Sequence, residues 1–174
     1  MTEWTLKDGE RLDDLVRDGM RLIQRPDQFC FSVDSVLLAH YVKPKAKDRI
    51  ADLGTGTGVI SLLVSALGGR DITAFEVNPV MADLARRNIA GNGKEDRIHV
   101  VECDYRKVNE RFPSGSFSLV LANPPYREMG TGKMSMLEGV ASASYEMNAS
   151  LTDVFKTAQY LLKYGGRLAM VHRA

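Results

Sequence analysis

A chain of 174 residues is of the size that one hydrophobic core sustains, and 44% hydrophobic with 26% charged residues excludes a disordered chain. The net charge of +1 excludes a body held to nucleic acid by its overall charge, leaving only local basic clusters: Lys43, Lys45, Lys47 and Arg49, then Arg86 and Arg87, then Arg106 and Lys107. Each of these reads first as solvated surface. No apolar run approaches the roughly 18 residues of a membrane span, and Met1 to Glu10 is too polar for a signal peptide, so a cytoplasmic protein without membrane partners is expected.

Taken in chain order, a mixed N-terminal segment leads through Phe29-Cys-Phe-Ser-Val-Asp34 into a short helix, Ser35 to Tyr41, with Ser32 or Asp34 placed to cap it. Residues 1–45 are expected to form a segment covering substrate or cofactor, and residues 46–174 the main domain. The first strand is Arg49 to Leu53, followed by a glycine loop and a helix from Val59 to Leu67, whose Ile60, Leu63, Val64 and Leu67 share one face. A second strand, Asp71 to Phe75, ends at Glu76. Asn78-Pro79 then starts a helix from Val80 to Gly91, stopped by Gly91 and Gly93.

A third strand, Ile98 to Val101, ends at Glu102, Cys103 and Asp104, and a fourth, Phe117 to Ala122, runs into Asn123-Pro124-Pro125-Tyr126. Arg127 to Val140, with three glycines and three methionines, reads as a functional loop. The stripe Leu151, Val154, Phe155, Ala158, Leu161 and Leu162 predicts a helix over 150–164, closed by Gly165 and Gly166 before a fifth strand, Arg167 to Val171. Strands alternating with helices predict a mostly parallel sheet with helices on both faces. In such sheets the ligand sits beyond the carboxyl ends of the strands, where Asp52, Glu76, Asp104 and Asn123 all fall.

Asp52-Leu-Gly54-Thr-Gly56-Thr-Gly58 places glycines at alternate positions between strand and helix, where they allow positive φ and close approach of a ligand to the backbone. Amides at the helix start favour an anionic group there. Gly58 stands at the wrong offset for the dinucleotide pattern GxGxxG, which disfavours NAD. Glu76, at the end of the second strand, can accept hydrogen bonds from both hydroxyls of a ribose. Cys30 and Cys103 lack metal-ligand spacing and read as reduced core thiols, while His40, His99 and His172 read as structural, so no metal is expected.

The two prolines of Asn123-Pro124-Pro125-Tyr126 remove two amide donors and leave carbonyl acceptors at a strand end. The Asn123 side-chain oxygen and the Pro124 carbonyl are suited to hold the hydrogens of a planar amine or amide, with Tyr126 stacked on its flat face. Asn123, Pro124, Pro125 and Tyr126 are therefore the candidate catalytic residues.

DxGxGxG followed by an acid at the second strand end resembles the class I S-adenosylmethionine-dependent methyltransferases, a resemblance that implies a Rossmann-like three-layer α/β sandwich. By that resemblance Gly54, Gly56 and Gly58 wrap the methionine moiety, Glu76 holds the ribose and Asp104 reaches the adenine amino group. It also places Asp52, Thr55, Val77, Tyr105 and Asn123 among the residues binding S-adenosyl-L-methionine. The tetrapeptide resembles that of adenine-N6 methyltransferases and equally that of protein-glutamine methyltransferases. Glu10 to Asp14, Gln24 to Phe29, Phe31 to Leu38 and Ala143-Ser-Tyr-Glu146 resemble the small-domain methyltransferases related to the valine-tRNA adenine-N6 enzyme, although Tyr145 stands where Arg or His usually precedes the glutamate.

That resemblance implies a tRNA adenine as target. The alternatives are a protein glutamine amide, or cofactor binding without catalysis. Oligomeric state is not legible. Chains of this fold usually continue with two more strands, so the sequence is expected to stop short of the last part of the sheet at Ala174.

Overall fold

A computed structural model describes residues 4–28, 30–124 and 150–172. Two sheets are present among them. β1 (Arg11–Asp14) and β2 (Arg21–Gln24) form an antiparallel hairpin, and β3 (Arg49–Leu53), β4 (Asp71–Glu76), β5 (Ile98–Glu102), β6 (Phe117–Ala122) and β7 (Leu162–Met170) form a parallel sheet in the order β5-β4-β3-β6-β7. The helices are α1 (Val33–Tyr41), α2 (Val59–Ala66), α3 (Pro79–Gly91) and α4 (Leu151–Leu161), with a 3-10 turn at Tyr105–Glu110. This is the expected α/β architecture.

Alternation along the strands sorts the core into two layers. Ile50, Ile72, Ala74 and Leu121 face α1, α2 and Ile89 of α3; Ala51, Leu53, Phe75 and Val120 face the 3-10 turn and α4. In the second layer Phe75, Phe112 and Phe117 meet with ring centroids 5.3–6.3 Å apart, largely edge to face. Because order reverses between β3 and β6, the crossovers after them leave on opposite faces and open a crevice at the carboxyl edge.

Local chemistry accounts for the helix ends. Asn78 accepts a hydrogen bond from Val80 N at 3.0 Å, with Pro79 in the first turn, so α3 starts one residue before the predicted Val80. It closes with Gly93 at φ 60° and bonds from Gly93 N to Ala90 O and Lys94 N to Ile89 O. Ser150 and Asp153 form a reciprocal capping box on α4.

The structure corrects three expectations. α1 begins at Val33 rather than Ser35, and Ser32, although at the N-cap, makes no side-chain cap bond. α4 ends at Leu161 rather than Tyr164: Leu162 is extended at ψ 130° and pairs with Phe117, because continuing the sheet satisfies backbone groups that another helical turn would leave at the sheet's edge. Gly165 and Gly166 therefore lie inside β7, where Gly165 at φ 73° sits between the two registers of the β6–β7 ladder.

The N-terminal segment, predicted only as mixed, holds the hairpin. Ile23 packs with Met81 and Leu84 of α3, and Trp4 lies against Gly91, where any Cβ would meet the indole. Arg87 of α3 pairs with Glu10, whose side chain is almost fully out of water, and the guanidinium holds that carboxyl below its ordinary pKa. No described helix is long and apolar enough to cross a membrane.

Candidate active site

The carboxyl ends of β3, β4 and β6 and the turn after β5 open on one cleft, walled by Gly54 to Thr57, Glu76, Asp104 and Asn123, with Phe31 and Ser35 from the N-terminal segment. Of the sequence-predicted residues, Gly54, Thr55, Gly56, Glu76, Val77, Asp104, Tyr105, Asn123 and Pro124 line this cleft. Gly58 caps α2 at φ 85°, its Cα facing Ala85 of α3, and is not part of the lining. Pro125, Tyr126 and the segments Arg127 to Val140 and Ala143 to Glu146 lie outside the described residues, as does Phe29.

The glycine loop is held from three directions. From the side, Glu76, 2% exposed, accepts from Gly56 N at 2.8 Å on one oxygen and from Asn78 N at 2.9 Å on the other, joining the loop to the end of β4. From below, Asp52 accepts on a single oxygen from Thr55 Oγ1 and Ser61 Oγ, both at 2.7 Å. Asp52 has no exposure and does not reach the cleft surface; its other oxygen meets no hydrogen-bond partner among the described residues. Burial pushes its pKa up against the pull of those hydroxyls.

The third hold was invisible to sequence reasoning. Asn88, fully buried on α3, accepts from Ile23 N at 2.6 Å and donates to Ile23 O at 3.0 Å and Thr57 O at 2.9 Å. One amide thereby joins the glycine loop to the hairpin. The available signal was a polar residue four places after Leu84 and seven after Met81, on the buried stripe of the helix.

Asp104 receives Arg106 N at 3.0 Å and the Arg106 guanidinium at 2.6–2.9 Å, and that guanidinium holds its carboxyl below the usual range. It is a charged acceptor at the foot of the turn after β5. At the end of β6, Asn123 Nδ2 donates to Ser35 Oγ of α1 at 3.0 Å. Ser35 was not singled out by sequence. Its bond fixes the rotation of the Asn123 amide, with Nδ2 toward α1 and Oδ1 toward the opposite side.

Cys30 and Cys103 are half-buried free thiols, and desolvation raises both pKa values, which makes them poor nucleophiles. No cluster of metal ligands occurs among the described residues.

Residues 20–174 match the family model described as "Methyltransferase small domain". A tRNA1(Val) (adenine(37)-N6)-methyltransferase of Shewanella amazonensis is 35% identical over 114 residues, covering 66% of this chain and 48% of that protein. One from a Flavobacteriaceae bacterium is 31% identical over 144 residues, covering 82% and 59%. The chain thus spans about half the length of the curated relatives it matches.

Among solved structures, geranyl diphosphate C-methyltransferase from Streptomyces coelicolor, crystallised with S-adenosyl-L-homocysteine, superposes with a TM-score of 0.59 at 19% identity, over 79% of this chain and 44% of that one. The [4+2]-cyclase SpnF superposes at 0.57 with 21% identity, over 78% and 42%. A fold shared by a methyltransferase and a cyclase establishes the Rossmann-like architecture and leaves the reaction to the site.

Proposed function

Because the chain belongs to the methyltransferase small-domain family, we propose that it binds S-adenosyl-L-methionine in this cleft and methylates an exocyclic amine, N6 of an adenine in tRNA. The observation that carries the reading is the pairing, on one cleft, of the Glu76-held glycine loop with an Asn123-Pro124 corner whose amide is oriented by Ser35. Strands β4 and β6 flank β3, so their ends stand about 10 Å apart at ordinary strand spacing. The relatives are named as tRNA adenine-N6 methyltransferases, which supports the same substrate, and a tRNA substrate goes with a cytoplasmic enzyme.

The residues present suit the cofactor. Gly54, at φ 69° with open space beside its Cα, gives a cradle without side chains, and Glu76 and Asp104 are carboxylates spaced along the wall for ribose hydroxyls and an adenine amine. Thr55, Gly56, Val77 and Tyr105 complete that wall, and Asp52 and Gly58 act by shaping the loop. When bound, the cofactor would supply a methyl group on a cationic sulfur, an electrophile that needs no acid because the S–C bond breaks with its electron pair on sulfur and a neutral thioether leaves.

What the chain must supply is a nucleophile, since the lone pair of an adenine amine is delocalised into the ring. Asn123 Oδ1 and the Pro124 carbonyl accept its two hydrogens and hold them out of the ring plane, so the lone pair turns toward the cleft. Pro124 and Pro125 lack N–H donors that would compete for those acceptors. The nitrogen loses one of the held protons to water as the methyl is gained, and no side chain with a matched pKa is needed. The acceleration is positional. Phe31 and Ser35 line the cleft, which agrees with a covering role for residues 1–45.

The test is methyl-labelled cofactor with total RNA or total protein as acceptor, followed by nucleoside mass spectrometry. N6-methyladenosine is the expected product. Asn123→Ala should lower transfer about 100-fold or more with cofactor affinity within about threefold, since positioning rather than binding is lost. Label in protein alone would overturn the reading.

A further inference from the structure

The structure divides the basic clusters of the sequence into neutralised and unneutralised sets. Arg49 pairs with Asp71, Arg86 with Glu102, Arg87 with Glu10 and Asp83, and Arg106 with Asp104. Lys107 is isolated. Lys43, Lys45 and Lys47, all exposed, form no ion pair among the described residues, and they follow directly on the C-terminus of α1. That helix buries Ser35, Leu38 and Ala39 and turns outward Val33, Leu37 and Tyr41, which are 71%, 60% and 78% exposed.

These three recur every fourth residue and so form one ridge, rising about 12 Å along the helix at 1.5 Å per residue. The ridge runs along the face of α1 opposite Ser35, which holds Asn123 from the buried side, and ends in the lysines. We propose that this ridge and the lysine loop are an RNA-binding track, which seats unpaired nucleotides adjoining the target as they leave the catalytic corner. The inference rests on the RNA reading above and adds the surface that reads it.

Charge and shape agree on this occupant. A polyanion gains most from lysines outside ion pairs, because each phosphate they bind releases counterions, and Asp48, the carboxylate within electrostatic reach of Lys45, already pairs with Arg167. An exposed tyrosine beside them offers a ring on which an unpaired base can stack, with the aliphatic side chains of Leu37 and Val33 as the rest of the platform. A protein partner would need both an apolar face for the ridge and an acidic patch matched to the lysine loop, whereas every RNA segment brings phosphates and bases together.

The test uses the chain with tRNA over a salt series. A triple variant, Lys43→Gln, Lys45→Gln and Lys47→Gln, is expected to raise the RNA KM about tenfold and to make the slope of log affinity against log salt shallower by about two. Tyr41→Ala is expected to weaken RNA binding about fivefold to a hundredfold with the salt slope unchanged. All four side chains are at the surface, so thermal midpoint and cofactor affinity should stay at the unmodified values.

Unmodified chain that methylates tRNA, with variants of unaltered KM and slope, overturns the track alone. Unmodified chain that transfers no methyl to RNA overturns the function reading and the track with it. A change in sedimentation on Tyr41→Ala, with RNA binding intact, would show that the ridge seats a second copy of the chain instead.

Discussion

Burial removes water from the carboxylate of Asp52, and the two hydroxyls that reach it both attach to the same oxygen. Because its pKa is raised in the folded chain above the unfolded value of about 3.9, the stability it contributes is complete below that value and is lost as pH rises through the folded pKa. Asp52→Asn keeps an oxygen for Thr55 and Ser61 and carries no charge. Chemical denaturation across pH should show the variant gaining on the unmodified chain as pH rises from about 4. A difference that stays flat with pH would mean that Asp52 titrates as if exposed. Asp104 behaves oppositely: its lowered pKa stabilises the fold above the unfolded value and withdraws that support as pH falls.

Among the elements, α3 supports the site from behind although it supplies little of the cleft lining. Its Asn88 satisfies two backbone groups of β2 and one of the glycine loop in the dry interior. Asn88→Ala would leave buried N–H and C=O groups without partners, at a cost of about 1–3 kcal/mol each where water does not enter. Asn88→Asp keeps the acceptor for Ile23 N but loses both donated bonds. In calorimetry both variants should bind cofactor less tightly, by about tenfold or more. At saturating cofactor, kcat should recover most of its value, because the Asn123 corner is supported from α1 instead. Equal loss of kcat and affinity would place Asn88 in general packing only.

At the scale of the whole molecule, what sequence made legible was what short-range pattern dictates. β3, β4 and β6 are nearly continuous buried runs, and a parallel sheet requires such runs. Glu76, Asp104 and Asn123 were identified because a residue at a strand end has only one edge of the sheet to occupy. The hairpin escaped because each strand is four residues long, charged in part, and supported by α3 rather than by its own alternation. Ser35 and Asn88 escaped for a related reason: their partners lie 88 and 65 residues away, and no periodicity encodes such a contact. The end of α4 was misplaced because Leu162 suits either the helical stripe or the sheet, and only pairing with Phe117 decides. Adjacent residues of β2 reach two lining residues of the cleft: Ile23 through Asn88 to Thr57, and Gln24, whose side-chain oxygen accepts from Phe31 N at 3.0 Å. Four residues remote in chain order thus act as a tie-rod, and anything that stiffens the cleft should be felt there. Hydrogen–deuterium exchange of the peptide spanning 21–24 should slow when cofactor is added and lose that response in Asn88→Ala, making the hairpin a gauge of occupancy.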